Sequence, residues 1–223
     1  EADGTIYIGS NDHHLYALDT KTGQEKWRFP TQRPIKSDPT IADGIIYFGS
    51  NDNTFYALDA STGRERWRYT TERNVACTPA VGDGIVYFSS NGEDDPLYAL
   101  DAMTGKELWR KGQWRIKTKG NTLSPSVSGG MIYFGVQEGN LYAIDLKTLQ
   151  EKWVFQTRVS TDPAIAHGML YFISYNGYLH ALDLESGREK WRFGMESPWG
   201  SSPAIADGKV FFGSEKGYFY ALE

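Results

Sequence analysis

Runs of apolar residues alternate along this chain with clusters of Asn, Asp and Gly, and the alternation repeats about every 40 residues. One unit contains an apolar run at residues 45–50, a polar turn at 51–54 and a second apolar run at 55–59. Both runs are rich in β-branched and aromatic residues and are apolar on both faces. This pattern predicts a β-hairpin whose strands are buried between other sheets.

A third strand is predicted after the turn that contains Gly63. Residues 64–69 alternate strictly, with Trp67 and Tyr69 on one face and two arginines on the other. Because a charged, alternating strand resists further pairing, it suits the outer edge of a sheet.

A fourth strand is predicted around residues 77–81, a segment of small residues that contains a proline. Proline has no N–H to donate to a ladder, so we expect this strand at a sheet edge beside a central channel. Its counterparts are also small and polar and contain proline, and they lie at 37–41, 124–127, 161–165 and 201–205.

The phrase Tyr-Ala-Leu-Asp, or a close variant, recurs six times, once in each predicted hairpin. A four-stranded unit of about 40 residues cannot bury its own apolar faces, so it has to stack on its neighbours. No unit has the helical spacing of apolar residues that a helical solenoid requires. The chain is therefore predicted to be an all-β protein, a β-propeller of four-stranded antiparallel blades. The repeats run over residues 1–36, 37–76, 77–120, 121–160, 161–200 and 201–223.

These units resemble the PQQ-like (pyrroloquinoline-quinone-type) β-propeller repeats over essentially the whole chain. The pattern Ala-Leu-Asp-x-x-Thr-Gly-x-x-x-Trp of that family is matched at 17–27, 57–67 and 99–109, and more loosely at 143–153 and 181–191. Leu149 stands where the pattern has Gly, and Ser186 stands where it has Thr. The resemblance implies that the tryptophan of each unit docks on the neighbouring blade. These tryptophans are Trp27, Trp67, Trp109, Trp153 and Trp191.

The sequence holds six predicted hairpins but five tryptophan strands, so we expect about six blades with an incomplete first and last blade. Two arrangements remain open, namely six blades of which two are short, or a segment of a larger ring. Members of the resembled family commonly have seven or eight blades, which favours the larger ring and a chain that is a piece of a longer protein.

The repeat continues without a linker, which predicts a single domain over residues 1–223.

Composition limits the partners of the chain. The net charge of −5 argues against nucleic acid, and no apolar run approaches the ~20 residues of a membrane span. The single cysteine, Cys77, is expected to be a small core residue. The resemblance implies a periplasmic or other extracytoplasmic location, of bacterial or archaeal type.

An acid ends most copies of the repeated phrase and suggests a ring of carboxylates. Each acid occupies the same turn, however, so we expect it to cap that turn. These acids are Asp19, Asp59, Asp101, Asp145 and Asp183. Trp114 and Trp199 fall outside the docking pattern, in loops before inner strands, where two roles stay open: lining a channel mouth or packing within the loop.

No grouping of residues predicts a metal site or a hydrolytic nucleophile. Of the four histidines, His180 fills the place that Tyr has in other units, and His167 replaces the Asp of an Asp-Gly turn. The acidic run at residues 93–95 lacks the regular spacing of a calcium loop and is predicted to be a solvated tip.

One recurring feature is not required by the fold, because a basic residue precedes most of the inner strands. Since blades are related by rotation, equivalent loops converge on one end of the channel, where these residues would form a positive rim. The rim would consist of Arg33, Arg73, Arg115 and Arg158, with Lys36, Lys117 and Lys119 nearby. Such a rim would bind an anion or an acidic peptide. The alternative is that these loop charges are solvated and pair with local acids.

Two functions are considered. The first is a non-catalytic propeller that scaffolds protein partners or senses a small anionic ligand through its channel-mouth loops, without a cofactor. In this respect the chain resembles outer-membrane assembly lipoproteins and the sensor propellers of bacterial kinases. The alternative is a quinoprotein dehydrogenase that binds PQQ and calcium. In that case Asp38 and Asp162 are the only candidates for the catalytic base or a metal ligand. Those enzymes are far longer, and the alcohol dehydrogenases among them carry two adjacent cysteines, whereas this chain has one.

Overall fold

The alternating apolar runs form strands that pair into six antiparallel sheets within the described parts of the chain. The computed structural model describes residues 2–91, 97–110, 123–136, 139–196 and 200–223. Two compact units, residues 1–113 and 114–223, divide these sheets equally. The first unit contains β1 Thr5–Gly9, β2 His14–Asp19, β3 Glu25–Pro30, β4 Thr40–Ala42, β5 Ile45–Ser50, β6 Thr54–Asp59, β7 Glu65–Thr70, β8 Ala80–Gly82, β9 Ile85–Ser89, β10 Leu97–Asp101 and β11 Glu107–Arg110. The second contains β12 Ser126–Ser128, β13 Met131–Gly135, β14 Leu141–Asp145, β15 Glu151–Phe155, β16 Ala164–Ala166, β17 Met169–Ser174, β18 Tyr178–Asp183, β19 Glu189–Gly194, β20 Ala204–Ala206, β21 Lys209–Gly213 and β22 Phe219–Leu222.

Each four-stranded sheet keeps its strands in chain order, as in β4-β5-β6-β7, and corresponds to one propeller blade. The sheets β1-β2-β3 and β20-β21-β22 have three strands. The predicted fold class, an all-β propeller of antiparallel blades with an incomplete first and last blade, is thus confirmed. A single domain over the whole chain stays a prediction. Nowhere in the described residues does a helix have the length and apolarity that a membrane crossing requires.

The turn between β6 and β7 is built around Asp59. Its Oδ1 accepts hydrogen bonds from the backbone N–H of Thr62 at 3.0 Å and from the hydroxyl of Thr62 at 2.9 Å. The N–H of Gly63 donates to the carbonyl of Asp59 at 2.8 Å. Gly63 has φ 68°, a left-handed conformation that glycine adopts without steric cost. The repeated Asp and Gly are therefore required by one turn geometry.

Trp67 shows how a blade is joined to the next one. Its indole Nε1–H donates to the carbonyl of Ala102 in the following blade at 3.0 Å, and the hydroxyl of Tyr47 donates to the same carbonyl at 3.0 Å. A Cβ added at Gly105 would lie 2.6 Å from the indole ring, so the ring lies against a residue that has no side chain. Burial raises the pKa of Tyr47 to about 12, which keeps its hydroxyl a donor at ordinary pH. Trp27 with Tyr7 on Ala60, and Trp153 with Tyr133 on Leu184, repeat the arrangement.

The core lies between neighbouring blades, where apolar strand faces meet. All six residues of β5 are buried. The ring of Phe55 stacks on Phe88 of the next blade with centroids 3.9 Å apart, and Val86 and Leu100 complete this contact. Burying a side chain of this size contributes ~1.5–3 kcal/mol, so these aromatic contacts stabilise the interface between the two blades.

The inner strands begin later than the sequence predicts. The fourth strand was expected at residues 37–41 and its counterparts, whereas β4 covers Thr40–Ala42, after Pro39. The physical reason is the missing N–H of proline, which delays the start of the ladder. The hydroxyl of Thr40 donates to the carbonyl of Pro79 at 2.6 Å and joins two adjacent inner strands. Strand order places these strands at sheet edges, as predicted.

Substitutions at Gly23 and Gly63 distinguish two destabilising effects. One is the strain of a left-handed backbone at a residue with a side chain, and the other is a clash with the docked tryptophan. The two glycines have φ of 69° and 68°, but a Cβ at Gly63 would lie 2.7 Å from the Trp27 ring, whereas Gly23 has open space. We expect Gly23→Ala to lower the free energy of unfolding by ~1 kcal/mol. Gly63→Ala is expected to cost ~1–3 kcal/mol more because the ring has to move. Chemical denaturation measures both variants, and equal losses would contradict the close contact.

Candidate functional site

The repeated carboxylates are occupied by their own turns. At Asp59, the guanidinium of Arg66 lies 2.8 Å from Oδ2, and this hydrogen bond is the main cause of a strongly lowered pKa. Hydrogen bonds from the Thr or Ser three residues later lower the pKa of the equivalent acids in the same way. These acids are Asp19, Asp101, Asp145 and Asp183. They therefore serve as ionised caps of the turns.

The loops before the inner strands are fixed to neighbouring hairpin tips by threonine. The hydroxyl of Thr31 lies 2.9 Å from the carbonyl of His13 and 2.7 Å from that of Arg33. Thr71 contacts the carbonyls of Asn53 and Arg73 in the next blade at 2.9 and 2.6 Å. Each arginine is thereby held beside the tip of its own blade's hairpin. The side chains of Arg33 and Arg73 are exposed.

Arg73 lines a polar cleft of about 290 Å³. Its other walls are Asn53, Glu72, Asn74 and Asn91, and the N–H of Asn91 donates to the carbonyl of Asn74 at 2.8 Å. The cleft offers amide, carboxylate and guanidinium groups in one place, and its lining is mostly polar. Such a surface suits hydrogen bonding to a polypeptide. It is the candidate recognition site of the first unit.

In the second unit, Arg158 holds the place that Pro34 and Asn74 have in the first, one residue after Arg33 and Arg73. Its carbonyl accepts the N–H of Tyr175 at 2.7 Å, and its guanidinium carbon lies 5.5 Å from the centroid of the Tyr175 ring. This cation–π geometry orients the charge over the hairpin tip. Lys36 is exposed in the loop of the first blade, beside the buried Ile35.

Several predicted site residues lie outside the described residues. They are Trp114, Arg115, Lys117, Lys119, Trp199 and the acidic run at 93–95. The structure brings Arg33 and Arg73 to corresponding places at the same end of adjacent blades. Convergence of all four arginines into one rim stays a prediction.

The buried His180 and Ser174 form a network with the exposed Glu189 that the sequence did not reveal. The Nε2 of His180 lies 2.7 Å from the hydroxyl of Ser174, and its Nδ1 lies 2.6 Å from a carboxylate oxygen of Glu189. Its ring stacks on Phe172 with centroids 4.8 Å apart. The order Ser-His-Glu is that of a hydrolytic triad, but Ser174 is 0% exposed and cannot meet a substrate. The one signal in the sequence was the departure from Tyr at this position.

Of the two residues named for PQQ or calcium, Asp38 is exposed and Asp162 is engaged in a backbone contact. Oδ1 of Asp162 accepts the N–H of Ser124 at 2.8 Å. The half-buried Cys77 contacts the backbone N and O of Ser89 at 3.0 and 3.1 Å, as the hydroxyl of Ser37 does with its own partner strand. Within the described parts of the chain, no three His, Cys, Asp or Glu side chains are grouped so that they could hold a metal ion.

Acidification should destabilise the folded protein, because His180 is buried. Burial lowers its pKa, and Glu189 opposes the shift only in part. Because the unfolded state then binds the proton more readily, the free energy of unfolding should fall as pH drops below ~6.5. His180→Tyr should reduce this fall, since Tyr56 occupies the same place and donates to Asp52 at 2.9 Å. Urea denaturation at pH 7.5 and 5.5 measures the effect, with His14→Tyr as the control. An unchanged pH dependence in His180→Tyr would contradict the prediction.

Comparison with known proteins gives one family. The family model described as outer membrane protein assembly factor BamB matches residues 2–74 and 152–223, about two thirds of the chain. No curated protein sequence matches the chain.

Similar solved structures share the fold. BamB from Moraxella catarrhalis is 20% identical with a TM-score of 0.77, over 100% of this chain and 71% of that one. The quinohemoprotein alcohol dehydrogenase ADHIIG from Pseudomonas putida HK5 is 19% identical with a TM-score of 0.71, over 86% of this chain and 41% of that one. The computationally designed Ika8 protein is 14% identical with a TM-score of 0.71, over 100% of this chain and 81% of that one. At these identities the likeness concerns the fold alone.

Proposed function

Since the chain belongs to the family of the outer membrane protein assembly factor BamB, we propose that it is a non-catalytic scaffold for proteins of outer-membrane assembly. The resemblance to PQQ-like propeller repeats, drawn from the motif, is confirmed by this membership. The family description also supports an extracytoplasmic location and protein partners.

The single observation that carries the proposal is the family match, which covers parts of both units. The geometry supports it, because the residues that repeat most strongly are used for capping and docking. Asp59 holds a turn, and Trp67 and Tyr47 hold the next blade. What remains for recognition is the set of loops before the inner strands.

In this proposal, the partner protein contacts the loops before the inner strands. In the first unit, the cleft around Arg73 lies at the centre of this contact surface. Exposed Arg33 and Arg73 favour a partner segment that carries carboxylates. Asn74 and Asn91, which lie beside Arg73, supply hydrogen-bond donors and acceptors for the backbone of the partner segment. A small anionic ligand that binds to the same loops is a second form of the proposal.

The alternative of a PQQ-dependent dehydrogenase has less support. When bound, PQQ would supply the redox chemistry, and Asp38 and Asp162 are the residues that would serve as base or calcium ligand. Asp162 is engaged with the backbone of Ser124, and Cys77 is paired with the backbone of Ser89. No catalytic step is assigned to this chain.

Charge reversal at the loops tests the contact surface. We expect Arg33→Glu together with Arg73→Glu to abolish crosslinking of the chain to outer-membrane assembly proteins in the native host. The reason is that the two guanidinium groups face the partner's carboxylates. Crosslinked products are identified by mass spectrometry.

Lys21→Glu together with Arg64→Glu is the matched control, because these exposed residues carry the same charge at the opposite ends of the same blades. The control should crosslink normally. If both double variants crosslink equally, the loops are not part of the contact surface. If the chain crosslinks only to unrelated proteins, the proposed role in outer-membrane assembly is wrong.

Titration with PQQ and calcium separates the two functions. We expect no saturable, stoichiometric change in visible absorbance or in the midpoint of thermal unfolding. A thermal shift that saturates at one PQQ per chain would contradict the scaffold proposal.

A further inference from the structure

A groove lies between the sheets β12-β13-β14-β15 and β16-β17-β18-β19 of the second unit. Its volume is about 510 Å³, within the range of ~300–1,000 Å³ that is typical of small-ligand sites. The lining includes Gly129 and Gly168, which belong to the short turns after β12 and β16, and Glu185 in the turn after β18. Successive connections of antiparallel strands lie at opposite ends of a sheet, so the groove is at the other end of the blades from the loops before the inner strands.

The floor of this groove is apolar and its rim carries two opposite charges. Met131 and Tyr133 of β13, which are 7% and 2% exposed, line the floor together with the half-buried Leu184 of the neighbouring blade. Lys152 from one blade and Glu185 from the other line the rim, and both side chains are exposed. A few polar groups around an apolar floor is the usual composition of a ligand site.

The charge of Lys152 has no partner among the described residues, in the form of either a hydrogen bond or an ion pair. The corresponding groove of the first unit differs in this respect. There Lys26 donates to the hydroxyl of Thr5 at 2.8 Å and to the carbonyl of Gly4 at 3.2 Å. Met131 takes the place of Thr5 in the second unit and has no oxygen to offer. The ammonium of Lys152 is therefore available to a ligand.

The carboxylate of Glu185 likewise has no hydrogen bond or ion pair within the described part of the chain. Its equivalent in the first groove, Ser61, donates its hydroxyl to Asp59 at 2.7 Å and belongs to its own turn. The other acid that lines the second groove, Asp183, lies 3.5 Å from the ammonium of Lys190. Glu185 therefore supplies the groove with a carboxylate that a ligand can reach.

These features define the chemistry of the ligand. Lys152 requires a carboxylate, Glu185 requires an ammonium group, and the floor requires an apolar body between them. A free peptide of two or three apolar residues carries all three, because its own termini are the two charges. The volume of the groove exceeds what a single amino acid would fill.

We propose that this groove is a binding site for short zwitterionic peptides with apolar side chains. The C-terminal carboxylate pairs with Lys152, the N-terminal ammonium pairs with Glu185, and the side chains cover Met131, Tyr133 and Leu184. Since both ion pairs lie at the surface, binding is weak and falls as the ionic strength rises. The site is separate from the loops of the proposed function and does not depend on them.

Three peptides with the same apolar body test the two charges. Leucyl-leucine carries both charges, its N-acetyl form lacks the ammonium, and its C-terminal amide lacks the carboxylate. Each is titrated into the ¹⁵N-labelled full chain at low salt and pH ~6.5, where the α-amino group is protonated. We expect saturable NMR shifts of the amides of Gly129, Gly168 and Glu185 with leucyl-leucine. Either blocked form should bind about threefold or more weakly.

Two results of this titration would overturn the proposal. One is the absence of saturable shifts at these three amides, including the case in which the shifts appear only in the loops around Arg73. The other is equal affinity for the three peptides, since the charges of the groove would then contribute nothing to binding.

Substitutions on the rim assign each charge to its partner. Lys152→Gln should weaken leucyl-leucine about as much as amidation does, but should change affinity for the amide by less than about twofold, because that peptide has already lost the carboxylate. Glu185→Ser should likewise weaken leucyl-leucine and spare the N-acetyl form. Both residues are exposed, so the fold tolerates the changes.

Lys26→Gln is the matched control, because it removes the same charge from the groove of the first unit. It should leave the affinity for leucyl-leucine unchanged. If Lys26→Gln weakens binding as much as Lys152→Gln does, or if Lys152→Gln weakens the amide as much as leucyl-leucine, the proposed site is wrong.

Discussion

One backbone carbonyl in each of three turns, at Ala60, Ala102 and Leu184, holds neighbouring blades together. The carbonyl of Ala102 receives the indole of Trp67 and the hydroxyl of Tyr47, both from the preceding blade. It is presented by a turn that an aspartate caps and that a glycine, Gly105, leaves open for the indole ring. A change in the aspartate or the glycine would move the carbonyl away from both donors, whereas loss of either donor removes one hydrogen bond. This dependence explains why Tyr, Asp, Gly and Trp recur together along the chain.

The sequence predicts those features of the structure that depend on residues close together in the chain, and it fails where residues of distant segments interact. Hairpins and capping turns depend on residues a few positions apart, so alternation and turn chemistry are sufficient to locate them. The start of the inner strands was placed too early because the effect of Pro39 on the ladder outweighs the β propensity around it. The network of His180, Ser174 and Glu189 joins different strands and left only one substituted tyrosine as a signal. The basic loop residues lie at unequal distances before the inner strands, so spacing alone does not establish whether they converge, and the rim stays a prediction.

Docking also decides where recognition takes place. Residues that repeat are already engaged with their neighbours, which leaves the exposed loops around Arg33 and Arg73 for recognition. The loops are rigid because Thr31 and Thr71 fix them to hairpin tips, so a partner meets a preformed surface. Such preorganisation lowers the entropic cost of binding. The scaffold and its recognition surfaces are thus made by different residues of each repeat.

A double-mutant cycle on Tyr47→Phe and Trp67→Phe tests the shared carbonyl most directly. With one donor removed, the buried carbonyl of Ala102 keeps the other, whereas removal of both leaves it unsatisfied at a cost of ~1–3 kcal/mol. The double variant is therefore expected to lose more unfolding free energy in urea than the sum of the single variants, by at least ~1 kcal/mol. Additivity within ~0.5 kcal/mol would contradict the central role of this carbonyl.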